Sequence, residues 1–233
     1  MANKAIVSSK KITAIANAIR SKTGNSDLMS LDDMPAQIEA IETGGGSSSG
    51  IQKVAYIQFT GDQAIETGIM GNQDTKIIAT FTMETTTSCY LFNVGSTNNV
   101  ATISGYLSNA GGFWRFGAKY VQVKISTNQD FISTFILSKK GVEREYNTNG
   151  MSGVTDFETV NSIVIGGQKT TDGTISSIDF IGKLFLFEIW QGGELALKLV
   201  PARDENGNYG FLDEVSGTFF TSVNGIPLSG GFL

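Results

Sequence analysis

The chain contains no histidine. A Ser-His-Asp or Cys-His device is therefore excluded, as is any histidine-ligated metal. It has one cysteine, Cys89, so no intrachain disulfide can form. Cys89 lies in an apolar run, SCYLFNV, where a small buried thiol is the ordinary reading. The opening residues, MANKAIVSSKK, lack the apolar core of a secretory signal. The expectation is a chain made in a reducing cytoplasm, or one that leaves it without Sec export. No apolar run reaches the ~18 residues of a membrane-spanning helix, so membrane insertion is not expected. Positive charge is scarce: 17 Lys and Arg against 22 Asp and Glu, a net charge of −5. Binding to phosphate backbones needs a basic surface, so nucleic acid is not an expected partner. There are three prolines against 28 glycines, a balance that suits many tight turns.

Helical periodicity is confined to the first 43 residues. Ile12, Ile15, Ala16 and Ile19 follow the i, i+3, i+4, i+7 spacing of one helical face. Ser8 or Ser9 can cap that helix, Arg20 and Lys22 complement its C-terminal dipole, and Gly24 suits its closing position. A second, shorter helix is expected after Met34-Pro35, with Ile38 and Ile41 as its apolar stripe. Helices this short are marginal in water alone. Ile12, Ile15, Ile19, Ile38 and Ile41 are thus candidate oligomerisation or attachment residues. Residues 44–50 (GGGSSSG) read as a flexible linker, dividing an N-terminal module, 1–43, from a larger domain, 51–233.

From Ile51 onward the pattern is strands and turns. Runs at 54–60, 66–69, 76–83, 89–94, 101–107, 113–116, 120–125, 131–138 and 162–165 are predicted strands. Turn signals recur about every ten residues, among them Gly71-Asn72, Gly111-Gly112 and 147–150. Many short strands at that spacing imply an antiparallel β-sandwich or barrel. Residues 179–190 form the spine. Leu184, Leu186 and Trp190 fall on one face and Phe185, Phe187 and Ile189 on the other, so this strand is expected to be central and covered on both faces. Gln191-Gly-Gly-Glu194 should turn the chain into a strand at 195–200, which Pro201 should end because it cannot donate to a ladder.

Residues 51–233 resemble the concanavalin A-like lectin/glucanase jelly roll, in particular the laminin-G-like domains of phage and bacterial surface proteins. The resemblance is carried by YIQFTG at 56–61, IETG at 65–68, KIIATF at 76–81, FIGKLFLF at 180–187, VPARD at 200–204, GFLD at 210–213 and SGTFF at 216–220. The stretch KITAIANAIRSKTG at 11–24, with LDDMP at 31–35, is similar to the short helical module near the N-terminus of virion and tail-associated proteins of phages that infect Gram-positive bacteria. Together these resemblances imply a virion structural protein: a helical attachment module, a hinge and a distal β-sandwich that binds carbohydrate or protein at the host surface. A homotrimer, contacting other tail or capsid proteins, is the implied assembly. A capsid decoration protein and a glycoside hydrolase of the same fold are the alternatives.

Glucanases of this fold carry closely spaced acids on one strand, because the chemistry needs two carboxylates about 5–10 Å apart. No such motif occurs, and Glu143-Arg-Glu145 reads as a solvated hairpin end, so no enzyme is expected and no catalytic residue is named. No cofactor is predicted either. Calcium, which lectin and laminin-G-like domains sometimes bind, would need roughly six to eight oxygens from converging loops. Asp62, Asp74, Asp130, Asp172 and Asp213 lie in or beside turns, where aspartates ordinarily cap their own backbone. A sugar site combines an aromatic platform with a few polar groups, because sugars present C–H faces and hydroxyl rims. The stretch that fits best clusters Tyr106, Phe113, Trp114, Arg115 and Tyr120; of these Tyr106, Trp114, Arg115 and Tyr120, with the polar loop residues Asn98 and Asn99, are the ligand-binding candidates. Alternation leaves a second reading open, with Trp114 and Phe116 in the core and Phe113 and Arg115 on the other face.

Overall fold

The computed structural model describes residues 50–84, 87–95, 102–108, 111–124, 132–144, 147–170, 172–176 and 180–232. The proposed helices with Ile12, Ile15, Ile19, Ile38 and Ile41, the linker up to residue 49, and Asn98, Asn99 and Asp130 lie outside them. The chain divides after Gln52, and the body from Lys53 to Leu233 is mainly antiparallel β.

Its larger sheet has eleven strands. The central strand, β15 (Ile181–Gln191), lies between β4 (Thr75–Met83) and β16 (Glu194–Arg203). Beyond β4 come β9 (Ser133–Ser138), β10 (Gly141–Arg144) and β11 (Asn147–Gly150). Beyond β16 come β17 (Tyr209–Asp213) and β18 (Phe219–Phe220). Strand β2 (Tyr56–Thr60) pairs with β15 and with β19 (Ser229–Gly231), and β1 (Gln52–Lys53) pairs with β16. The second sheet runs β3 (Ile65–Asn72), β12 (Glu158–Ile165), β5 (Cys89–Val94), β6 (Ile103–Ser108), β7 (Gly111–Phe116) and β8 (Lys119–Val123). A short hairpin, β13 (Gln168–Lys169) with β14 (Ile175–Ser176), joins the edge of β5 where Gly95 N–H donates to the Lys169 carbonyl at 3.1 Å.

The two sheets pack face to face through one apolar core. Its centre is an unbroken series of rings: Phe187, Phe92, Trp114, Phe135, Phe81, Phe180, Phe59 and Phe211, each 4.6–6.3 Å from the next. Trp114 of the smaller sheet stacks on Phe135 of the larger one at 4.6 Å and 24°. Such pairs contribute about 0.5–1.5 kcal/mol each beyond the area they bury. Cys89 is buried in this core.

The turn at Gly192-Gly193 forms as its sequence dictates. Both glycines have positive φ, 59° and 92°, as a two-residue hairpin loop with right-handed strand twist needs. Elsewhere local pattern misleads. Strand β15 is central but not covered on both faces. A bulge between Leu184 and Leu186 breaks strict alternation, so Leu184, Phe187 and Ile189 enter the core while Phe185, Leu186 and Trp190 turn outward, half-buried. On that outer face Lys76 Nζ lies 4.0 Å from the Trp190 ring centroid, and the Trp190 indole N–H donates to Glu188 at 2.9 Å. Pro201 does not end β16, which continues to Arg203 and pairs there with β17. The Pro201 carbonyl accepts from Val54 N–H at 3.0 Å. A strand residue's N–H and C=O point to the same side, so the missing donor faces Val54 and the β17 ladder loses nothing. Residues 147–150 form strand β11 rather than a turn, β3 extends through Gly71-Asn72, and Gly111-Gly112 begins β7.

Candidate functional site

Strand register places polar and aromatic residues together on the outer face of the smaller sheet. Two rows cross it. The first joins Glu66, Val164, Asn93, Ser104, Arg115 and Tyr120, one residue from each strand in turn. The second joins Tyr90, Tyr106, Phe113 and Gln122. Side chains on neighbouring strands that face the same way lie within contact distance. The Tyr90 and Tyr106 rings are 5.1 Å apart, and Tyr106 and Phe113 are 6.0 Å apart.

A bulge in β5 brings Tyr90 and Asn93 onto this face together. Between Tyr90 and Phe92 the strand carries one residue more than its partner β6, so Leu91 and Phe92 are both buried in the core. Tyr90 and Asn93, three residues apart, then point the same way. On β6, Gly105 makes the opposite face possible: a Cβ there would lie 2.8 Å from Trp114 and 2.9 Å from Phe92.

Over the two rows lies a cavity of ≈ 540 Å³. Its walls are Tyr90, Tyr106, Phe113 and Tyr120, its polar groups Asn93, Thr102, Ser104, Arg115 and Gln168, with Gly95 at the rim. The volume falls within the roughly 300–1,000 Å³ of small-molecule sites. Asn93 is 2 % exposed, and its side-chain oxygen has no hydrogen-bond partner among the described residues. A buried acceptor left unpaired costs about 1–3 kcal/mol, so a donor supplied by a bound molecule would recover that cost. Burial raises the Tyr90 phenol above its ordinary value, with the nearby Tyr106 acting in the same sense and Arg115 against it. Beside the cavity, the β13 hairpin is fixed by an ion pair between Lys169 and Glu66, and Ser162 Oγ donates to the same carboxylate at 2.6 Å. The Lys169 hydrogen bond, then that of Ser162, holds the Glu66 carboxyl below its ordinary range.

Three of the residues singled out from sequence line the cavity: Tyr106, Arg115 and Tyr120. Trp114 does not. Alternation along β7 turns it to the opposite face, where it is fully buried against Phe135, so it belongs to the core and not to this site. Gly95, Ser104 and Phe113 also line it, and Tyr90, Asn93, Thr102 and Gln168 were missed by pattern alone. A lone Asn in the apolar run CYLFNV, followed by Gly95, is the signal that marks Asn93.

Three of the turn aspartates have partners within the protein. Asp213, 2 % exposed, accepts from the backbone N–H groups of Lys198, Val215 and Ser216 and from the Ser216 hydroxyl. Asp172 accepts from Thr174 N–H, and Asp74 pairs with Lys139. No cluster of three potential metal-ligating residues occurs among the described residues.

No protein-family model and no curated protein matches the chain. Among solved structures it is similar to a native heptameric SAP-like pentraxin from Limulus polyphemus, at 14% identity and a TM-score of 0.43, over 78% of this chain and 94% of that one.

Proposed function

We propose that the chain is a non-enzymatic saccharide-binding protein whose sugar site is the cavity on the outer face of the smaller sheet. The observation that carries this reading is the unpaired Asn93 oxygen, buried in a recess walled by four aromatic rings. Rings offer C–H faces a platform, and the amide oxygen, with the Ser104 and Thr102 hydroxyls beside it, suits a rim of hydroxyl groups. Binding without turnover fits the lining, which holds no carboxylate among its described residues, whereas glycoside hydrolysis needs a pair.

The wider setting rests on the resemblances. The domain is read as a concanavalin A-like jelly roll, and the chain as a virion protein, tail-associated, that attaches the particle to the host surface. Its N-terminal module would join three copies. Three linked sites raise avidity without any new contact.

A glycan array that includes cell-wall polysaccharides of Gram-positive bacteria, followed by calorimetry on the best ligand, tests the proposal. Tyr106→Ala is expected to weaken that ligand about tenfold, the worth of one aromatic platform. Tyr120, 66% exposed, can be replaced by alanine with no loss of core, so a similar loss of binding there would be specific to the site. A well-folded wild type that binds nothing on the array, or a Tyr106→Ala chain that binds as the wild type does, would rule the site out.

For a ligand that does not itself titrate in the window, affinity is also expected to be flat between about pH 5 and 9. Tyr90 is displaced upward, away from this range, and there is no histidine to titrate. A bell-shaped profile within that window would show that a group outside this lining controls binding.

A further inference from the structure

Among the described lining residues of the cavity one side chain is charged, Arg115, and none of the others balances it. Its guanidinium has no hydrogen bond or ion pair to any described residue, and no aspartate or glutamate is among the described lining. Another cation behaves differently: Lys169 is neutralised by Glu66. The register makes the contrast sharper. Arg115 sits between Ser104 and Tyr120 in a row whose only carboxylate, Glu66, lies at the far end and is already engaged.

A half-buried arginine is ordinarily matched, because its planar donors are costly to leave unused beside apolar surface. Here its neighbours across the strands are Ser104 and Tyr120, and neither carries a carboxylate. From this arrangement we infer that the ligand itself supplies the anion: the site takes an acidic saccharide, one bearing a carboxylate or a phosphate. The anion sits against Arg115, and the sugar rings lie along Tyr106 and Phe113 with a hydroxyl donating to Asn93. This rests on the saccharide reading above and narrows it to one class.

The overall charge of −5 does not oppose it. Exposed charges are largely screened beyond about 8–10 Å at physiological ionic strength, whereas a contact pair in a recess is screened much less. Planar, two-pronged donation to carboxylate or phosphate also favours arginine over lysine at this position.

Calorimetry with two matched pairs of probes provides the test: an oligogalacturonate against its methyl ester, and a phosphorylated oligomannose against the neutral oligomannose. At low salt the wild type is expected to bind at least one acidic probe about tenfold or more tightly than its neutral partner. Which pair shows the larger ratio distinguishes carboxylate from phosphate. Raising the salt should shrink the ratio, and Arg115→Gln should bring it to about one. Lys76→Gln removes the same charge from the outer face of the other sheet and should leave the ratio as it was. Neutral probes bound as tightly as acidic ones, with Tyr106→Ala still weakening both, would overturn the acidic class and leave the saccharide site standing. Failure of all four probes to bind the folded wild type would count against both. An acidic preference that survives Arg115→Gln would place the anion elsewhere and overturn the assignment.

Discussion

Replacing Phe92 by alanine is expected to cost the domain about 3–5 kcal/mol, among the largest effects that any single substitution here should have. Phe92 is fully buried and joins the two sheets: its ring lies 5.5 Å from Phe187 of the larger sheet and 5.9 Å from Trp114 of its own. Truncation loses the transfer free energy of the ring, breaks two aromatic contacts and leaves a void that rigid neighbours cannot fill. Trp114 cannot slide into the space, because it is already stacked on Phe135. Urea unfolding should show a lower midpoint with an unchanged slope. Asn93 follows Phe92 on a bulged strand, so the same variant should also bind the best ligand less well even where it remains folded. A cost below about 1 kcal/mol would mean that the core relaxes freely around β5, contrary to its packing.

Asp213→Asn should be the most damaging conservative change outside the apolar core, at about 2–3 kcal/mol. The carboxylate accepts from three backbone N–H groups and one hydroxyl, and it ties the turn after β17 to Lys198 on β16. An amide keeps one oxygen and turns an NH₂ toward Ser216 N–H, so two donors face each other. Burial pushes the Asp213 carboxyl up, but the Ser216 hydroxyl and the three backbone donors outweigh it, and the net result lies below the ordinary range. A folded-state value below the unfolded one contributes stability that is complete above the unfolded pKa. That contribution is lost as pH falls through the folded value. The gap between wild type and Asp213→Asn should therefore hold steady from about pH 8 to 5 and narrow below about pH 4. Thermal melts across that range would show it; a gap that widens toward acid would reverse the assignment.

These two residues also show where sequence was sufficient. Asp213 lies ahead of Ser216-Gly217 in a recognisable turn, and its capping role follows from local chemistry. The antiparallel two-sheet architecture and the glycine hairpin follow from period-two patterning and turn residues; β15 is central as expected, although cover on both faces, the ground for that expectation, does not hold. The site was only half legible. Tyr106, Arg115 and Tyr120 are near in sequence and emerge from composition, whereas Trp114, between them, needed its parity to be fixed before it could be assigned to the core. Tyr90 and Asn93 depend on a bulge, and a bulge arises from the match of one strand to another, not from either alone. Pro201 shows the same limit. Whether its missing donor matters depends on which neighbour lies on that side, and that neighbour is Val54, far away in the chain.

The outer row has one more consequence. Each of its positions comes from a different strand, and the ladder bonds that hold those strands use backbone atoms alone. The core is written on the alternate residues of the same strands. Changes at Ser104, Arg115 or Tyr120 therefore alter what the face can grip without asking the interior to be solved again. Such a surface behaves as an exchangeable panel on a fixed frame, and a lineage that must follow a changing target could revise it one residue at a time.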